Sequence, residues 1–365
     1  MKELKLGLPL PPPTDGPLTV DELRLAARNH AMPLEALRYP VTPVGLHYVL
    51  VHYDIPAVEE SAFRLTVDGE VERPLSLTLD ELRALPALEV ASTMECAGNG
   101  RALLAPRAVS QPWLLEAVGT GRWRGVALHT VLELAGLRES AVDVVATGLD
   151  RGIENEVDQR YQRALPLAEA LREEVVLAYE LNGGPLPPQH GFPLRLVVPG
   201  WYGMTNVKWL ASLTVTDEPF TGYQHARSYR FRLDPDEEGT PLTRMLPRSL
   251  LAPPGVPDFL SRERFVDSTP VRLEGRAWSG QGRLVSVEVS DDDGVVWAPA
   301  QLTDDLGSPW AWRGWTYEWN ATPGRYVLCC RARDDAGNVQ PLEPVWNVGG
   351  YANNAVQRVP VTVVD

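Results

Sequence analysis

The chain has 365 residues, enough for two domains that each bury a core, and its 44% hydrophobic and 22% charged content is that of an ordinary globular protein. A formal net charge of −14 argues against nucleic acid and anionic membrane as partners. The same field would repel a small anion, so an anionic ligand would require a local cluster of cations.

No apolar run approaches the roughly 20 residues of a spanning helix, so no membrane span is expected. The first ten residues hold no twin-arginine pair, and their apolar character ends at Pro11–Pro13. This reads as no signal peptide and a cytoplasmic location. Residues 1–44 read as a Pro-rich extended strap over 1–20 and then a short helix, Asp21 to Arg28, with Asp21 as N-cap.

Residues 45–235 mix short helices with many strands, the signature of an α+β fold rather than regular βαβ units. Phe63–Gly69 predicts a strand ending in an Asp-Gly turn, and Thr78 caps a helix with Glu81 three residues on. Arg122–Leu128 is read as opening a helix that continues from Leu128 to Ala135, and another runs from Pro166 to Arg172. Further strands are predicted at Leu88–Met94, Val142–Thr147, Val175–Tyr179, Leu194–Val198 and Ala211–Thr216.

Residues 236–267, rich in Pro, Asp, Glu and Gly, read as a linker or surface excursion. Over 268–365 the helical signal vanishes. Strands are predicted at Val271–Trp278, Leu284–Ser290, Val295–Ala300, Ala311–Trp319, Arg325–Arg333, Val345–Val348 and Gln357–Val364. About seven strands in about a hundred residues is an immunoglobulin-like sandwich pattern.

Of the three cysteines, Cys329 and Cys330 are neighbours and would point to opposite faces of a strand. All three are expected to be reduced. Cys96 leaves an apolar strand and enters a Gly-Asn-Gly turn with Arg101 five residues on. Buried inert cysteines are common, but a lone thiolate on a tight turn also suits a nucleophile or the single protein ligand of a soft metal. No histidine lies between His52 and His129 to support a nucleophile, and no zinc-type CxxC, HxH or HExxH pattern is present. A metal held by one thiolate takes its other ligands from a cofactor.

In the segment Asn182–Gly200 a Gly/Pro-rich loop delivers His190, and a strand with Arg195 follows. Lys208 comes next, and it is singled out because the only other lysines in the chain are Lys2 and Lys5. Three cations within nineteen residues of an acidic chain suit a phosphate or another anion, against the plainer reading of a turn histidine and solvated strand charges.

Taken together these residues resemble the sulfite oxidase family of molybdenum enzymes. Cys-Ala-Gly-Asn-x-Arg at 96–101 is similar to the family's molybdenum-cysteine loop. The stretch 182–195, Val-Pro-Gly at 198–200 and Val-Lys-Trp-Leu at 207–210 resemble its cofactor-binding region. Trp-Ser-Gly at 278–280, Trp-Ala-Trp-Arg at 310–313, 334–341 and Trp-Asn at 346–347 resemble its C-terminal dimerisation domain. The resemblance runs in order over roughly residues 45–365.

It implies a molybdenum carried by one molybdopterin and ligated by Cys96, with no haem in this chain. His52, Asp150, His190, Arg195 and Lys208 would hold the pterin and its phosphate. Arg101, Trp123, Tyr229 and Arg313 would form the pocket over the metal. The implied reaction is oxygen-atom transfer, oxidising sulfite to sulfate, with electrons passed to an external acceptor such as a c-type cytochrome. A homodimer built through the sandwich domain is implied, the Trp-rich stretch 310–319 offering apolar surface for it.

Leu50 stands where the family commonly has an arginine, and Gly100 where an arginine often sits. Two alternatives therefore stand beside sulfite oxidation. One is a molybdenum reductase of a neutral sulfoxide or N-oxide; the other is a non-enzymatic binding protein that uses the sandwich domain.

Overall fold

A computed structural model describes residues 12–154, 156–303 and 305–365. Most of the predicted strap, residues 1–11, lies outside the described residues. Helix α1 (Val20–Arg28) starts one residue earlier than predicted: Thr19, not Asp21, is its cap, in a capping box with Glu22. Arg107 fastens this segment by donating to the carbonyls of Gly16 and Pro17 and pairing with the buried Glu22 carboxylate at 3.0 Å.

The first domain is built from ten strands and three short helices. The strands are β1 (Leu65–Gly69), β2 (Leu75–Leu77), β3 (Ala87–Glu95), β4 (Val118–Ala127), β5 (Asp143–Glu154), β6 (Val157–Pro166), β7 (Val176–Leu181), β8 (Gly184–Pro185), β9 (Arg195–Val197) and β10 (Leu210–Thr216). Helix α2 (Leu79–Arg83) carries the predicted Thr78–Glu81 capping box, and α3 (Leu128–Ala135) and α4 (Leu167–Ala170) follow. One sheet has the order β2-β1-β10-β5-β6, in which β1 and β10 are parallel. The other runs β3-β4-β7-β8, with β9 also paired to β7.

Their inner faces share one core with α2 and α3, including Leu65, Leu82, Val126, Leu132, Leu177 and Leu213. Each such side chain contributes roughly 1.5–3 kcal/mol by leaving water. Two elements depart from the sequence reading. Residues 122–127 belong to β4, not to a helix, and β5 continues past Thr147 into a long hairpin with the unforeseen β6.

A short helix α5 (Tyr223–Ala226) and the pair β11 (Arg230–Phe231) and β12 (Thr240–Pro241) lead to the second domain. Its strands are β13 (Arg248–Leu251), β14 (Val256–Pro257), β15 (Arg264–Asp267), β16 (Pro270–Trp278), β17 (Leu284–Ser290), β18 (Ala298–Pro299), β19 (Gln301–Leu302), β20 (Arg313–Asn320), β21 (Gly324–Asp334) and β22 (Gln357–Val364). They form two sheets, β13-β16-β20-β19 and β14-β15-β22-β21-β17-β18, an immunoglobulin-like sandwich.

The supposed linker is thus a structural part of this domain from residue 248 onward. Buried Leu250 and Leu251 outweigh the Pro-rich composition around them. Val345–Val348 is not a strand, and 295–300 shortens to β18, with Val295 and Val296 exposed. Cys96, Cys329 and Cys330 are all free thiols.

Within the stretch 310–319, Trp312, Trp315 and Trp319 are buried inside the chain and offer no subunit-contact surface, while Trp310 stays half-buried. Trp315 and Trp319 fill the sandwich core. Trp312 lies instead in a seam cluster with Met32, Leu37, Tyr202, Met245 and Trp278 that joins the two domains. Glu95 crosses the same seam, accepting from the Trp278 indole at 2.9 Å and pairing with buried Arg248 at 3.2 Å.

Candidate active site

Strand β3 runs out at Glu95 and delivers Cys96 into a turn held by its own polar groups. The Asn99 side chain donates to Glu95 Oε1 and to the Leu115 carbonyl, and accepts from the Ala117 amide. Gly100 has φ +89°, and a Cβ there would come within 2.9 Å of the Asn353 side chain, so glycine is required. The second domain closes the loop from behind: the Ala352 amide donates to the Ala97 carbonyl at 2.8 Å. Burial raises the Cys96 thiol pKa, while the Arg101 charge, the Gly98 amide and the Trp113 side chain work against that rise. A soft cation at the sulfur would complete that trend by displacing the proton.

Cys96 lines a cavity together with His52, Asp150, His190, Arg195, Lys208 and Tyr229. These seven residues come from five separate stretches of the chain, and sequence reasoning named all of them. The backbone explains how they converge. The turn Pro188–His190 ends at Gly191, whose φ of +106° turns the chain into β9, where Arg195 points inward. Arg195 donates to the His190 and Asn206 carbonyls at 2.9 and 3.1 Å and lies 4.7 Å from the Trp123 ring centre. Lys208, just ahead of β10, donates to the Leu50 and Gln189 carbonyls at 2.7 and 3.1 Å.

Several polar atoms of this wall are buried with no partner among the described residues: His190 Nε2, Arg195 Nε and Asp150 Oδ1. A folded chain does not normally leave such groups unpaired, because each costs roughly 1–3 kcal/mol. Burial and neighbouring charges govern their ionisation. His190 falls to about 2 and His52 to about 3, so both are neutral imidazoles. Lys208 falls to about 7 through burial and the Arg195 charge, and burial lifts Asp150 to about 6. Across the cavity the Tyr229 hydroxyl sits 2.5 Å from His52 Nε2, on a backbone with φ +57°.

Three predicted pocket residues are elsewhere. Trp123 is fully buried on β4 beneath Arg195 and does not line the cavity. Arg313 begins β20 in the second domain and donates to the Thr303 carbonyl, again away from the cavity. Arg101 lies behind the cysteine loop. Its guanidinium donates to the Gly349 and Gln111 carbonyls and stacks 4.9 Å from the Tyr351 ring centre.

Sequence reasoning also missed residues that are present. Trp113 shares the apolar cluster around Cys96, and nothing in its spacing marked it out from Trp123. His47 lines the cavity with an unpartnered Nε2, its ring 5.3 Å from that of His190. Arg163 is buried on β6, where the inward positions Tyr161 and Leu165 flank it. An arginine at an inward strand position was the available signal, but β6 itself had not been recognised.

The donor set suits a specific kind of ligand. Unpartnered donors beside two buried cations fit a polar, phosphate-bearing molecule, and one soft sulfur at the cavity wall fits a metal carried by it. Residues 52–224 match the family described as oxidoreductase molybdopterin binding domain, and residues 248–364 match the Mo-co oxidoreductase dimerisation domain. Mitochondrial sulfite oxidase of Mus musculus is 35% identical over 97% of this chain and 68% of its own length. The chain belongs to the sulfite oxidase family. The corresponding Rattus norvegicus enzyme is 36% identical over 89% of this chain, which spans 62% of that relative's length. Among solved structures, the sulfane dehydrogenase SoxCD of Paracoccus pantotrophus superposes with a TM-score of 0.80 at 25% identity. That match covers 96% of this chain and 93% of the other. No helix among the described residues is long and apolar enough to cross a membrane.

Proposed function

We propose that the chain is a molybdenum-dependent oxidoreductase that oxidises sulfite to sulfate, taking the added oxygen from water and releasing two electrons and two protons per turnover to an external acceptor and the solvent. The observation that carries this is the Cys96 thiol on a cavity also lined by His190 and Arg195, which hold unpartnered nitrogens, and by Lys208. When bound, a molybdenum pyranopterin supplies the oxo group and the redox couple. The chain's own residues hold and shape. Cys96 ligates the metal as thiolate, and Trp113 and the Gly98 amide steady that sulfur. Lys208, Arg195, His190 and Asp150 would hold the pterin and its phosphate. Tyr229, with His52 as a neutral partner, holds a hydroxyl at the substrate side and can move a proton between them. The dimerisation domain is proposed to pair two copies, and a c-type cytochrome is a fitting acceptor.

The test is molybdenum and pterin content of the purified protein, followed by sulfite-dependent reduction of ferricyanide. Turnover with the metal loaded supports the reading. No turnover at millimolar sulfite refutes it.

One observation favours a second reading, reduction of a neutral sulfoxide or N-oxide. Leu50 lines the cavity where an anion-binding arginine was expected, and Arg313 lies outside it. Oxidation of dithionite-reduced enzyme by dimethyl sulfoxide or trimethylamine N-oxide, without sulfite turnover, would select that reading.

A further inference from the structure

The cations expected to receive an oxyanion are missing from the cavity or committed elsewhere. Position 50 is leucine, Arg313 is in the other domain's sheet, and Arg101 is bonded to two carbonyls and stacked on Tyr351. A different arginine stands close by, held by one carbonyl and one aromatic ring. Arg163 is 3% exposed on the inward face of β6, and its guanidinium lies 5.4 Å from the Tyr229 ring centre. One of its terminal nitrogens donates to the Gln224 carbonyl at 2.5 Å, and its Nε has no partner among the described residues. No carboxylate pairs with it among the described residues. A buried cation without a countercharge is destabilising, so a fold that keeps one there has a reason outside its own packing.

We propose that Arg163, from behind Tyr229, supplies the positive charge by which the cavity attracts an oxyanion substrate, in place of the side chain that Leu50 lacks. Arg163 does not line the cavity and is a positioning residue. Its cation lies against the ring of Tyr229, whose hydroxyl is fixed on His52, and the field it adds draws an anion to that hydroxyl. Its charge already reaches the cavity wall: burial chiefly keeps His52 neutral, and the charges of Lys208 and Arg163 add to that effect. The inference rests on the sulfite reading for the substrate class, while the charge it describes can be measured without turnover.

The experiment is isothermal titration of the molybdenum-loaded protein with sulfate, alongside steady-state kinetics with sulfite. Arg163→Met weakens sulfate binding by about tenfold or more. One unit charge acting over roughly 10 Å at an effective dielectric of about 20 accounts for about tenfold on a monoanion, and sulfate carries two charges. The KM for sulfite rises in parallel with kcat little changed, and Arg163→Lys retains most of the affinity. Adding Leu50→Arg to Arg163→Met restores binding, because a cation returns to the cavity that Leu50 lines. Wild-type sulfate affinity in a folded, metal-loaded Arg163→Met protein overturns the proposal, as does an equal loss of affinity for neutral dimethyl sulfoxide.

Arg163→Gln, which keeps a donor for the Gln224 carbonyl, decides the matter should Arg163→Met fail to fold: a loss of sulfate affinity of about tenfold or more supports the proposal, and wild-type affinity overturns it. Arg163-dependent sulfate binding without sulfite turnover keeps this inference and refutes the proposed reaction alone.

Discussion

The cavity wall and the sandwich domain bury polar groups in opposite ways. In the sandwich the buried polar side chains mostly close on one another or on backbone. Ser279 donates to Asp334, which also accepts from Asn338. Gln340 accepts the Ser249 and Ala332 amides, and Gln357 accepts the Leu251 amide. The exceptions there are few, such as the Trp315 indole and the Ser249 hydroxyl. Around Cys96 the balance reverses, and the unpartnered atoms of His47, Asp150, His190 and Arg195 gather on one cavity. A satisfied buried group contributes to the fold, whereas a cluster of unsatisfied ones marks where a ligand completes the structure.

The contrast breaks most sharply at the seam. Glu95→Ala leaves Arg248, 1% exposed, without its carboxylate and is expected to destabilise the protein by roughly 3–5 kcal/mol, read from urea unfolding. On the cavity wall the effect falls on the ligand instead. Arg195→Met is expected to lower cofactor retention by roughly 10–100-fold, read as molybdenum per chain, with the far-UV circular dichroism of the wild type.

Proton linkage sharpens the comparison further. Lys208 is depressed to about 7, so it carries charge below neutral pH and loses it above, whereas His190 and His52 stay uncharged throughout. Cofactor-free protein should therefore bind inorganic pyrophosphate about tenfold more weakly at pH 9, relative to pH 6, than Lys208→Met protein does, the slope left in the variant being that of pyrophosphate's own ionisation. The unfolded chain holds the Lys208 proton up to about 10.5, so the cofactor-free fold gains stability as pH rises from about 7 towards 10.5. The smallest effect belongs to the capping box of α2, far from the cavity. Thr78→Ala should reduce thermal stability by about 1 kcal/mol and leave molybdenum content unchanged.

What was legible in the sequence follows from the kind of signal each element carries. The Cys96 turn, His190, Arg195 and Lys208 could be read because few residue types do that chemistry and their local order is fixed. The sandwich strands were legible because β16, β17 and β22 alternate apolar and polar residues. Strand β4 was not, since Val-Gly-Thr-Gly-Arg-Trp-Arg-Gly lacks that alternation. Its glycines answer to close packing instead: a Cβ at Gly119 would meet the His47 ring at 2.7 Å, and one at Gly121 the Leu181 side chain at 2.6 Å. Trp123 entered the pocket through the family resemblance alone, and no local pattern separates it from Trp113, which shares its apolar cluster. Arg313 was misplaced because a motif gives residue order but not which sheet face an arginine occupies. Residues 248–267 looked like a linker because Pro and Gly dominate locally, while the pairing of β13 with β16 and of β15 with β22 is long-range information.

The central claim is that the Cys96 sulfur is bonded to molybdenum. X-ray absorption at the molybdenum edge of wild type and Cys96→Ser, both with the metal retained, tests it most directly. The serine protein is expected to show one sulfur neighbour fewer, together with loss of sulfite turnover. An unchanged sulfur count with turnover intact would contradict it.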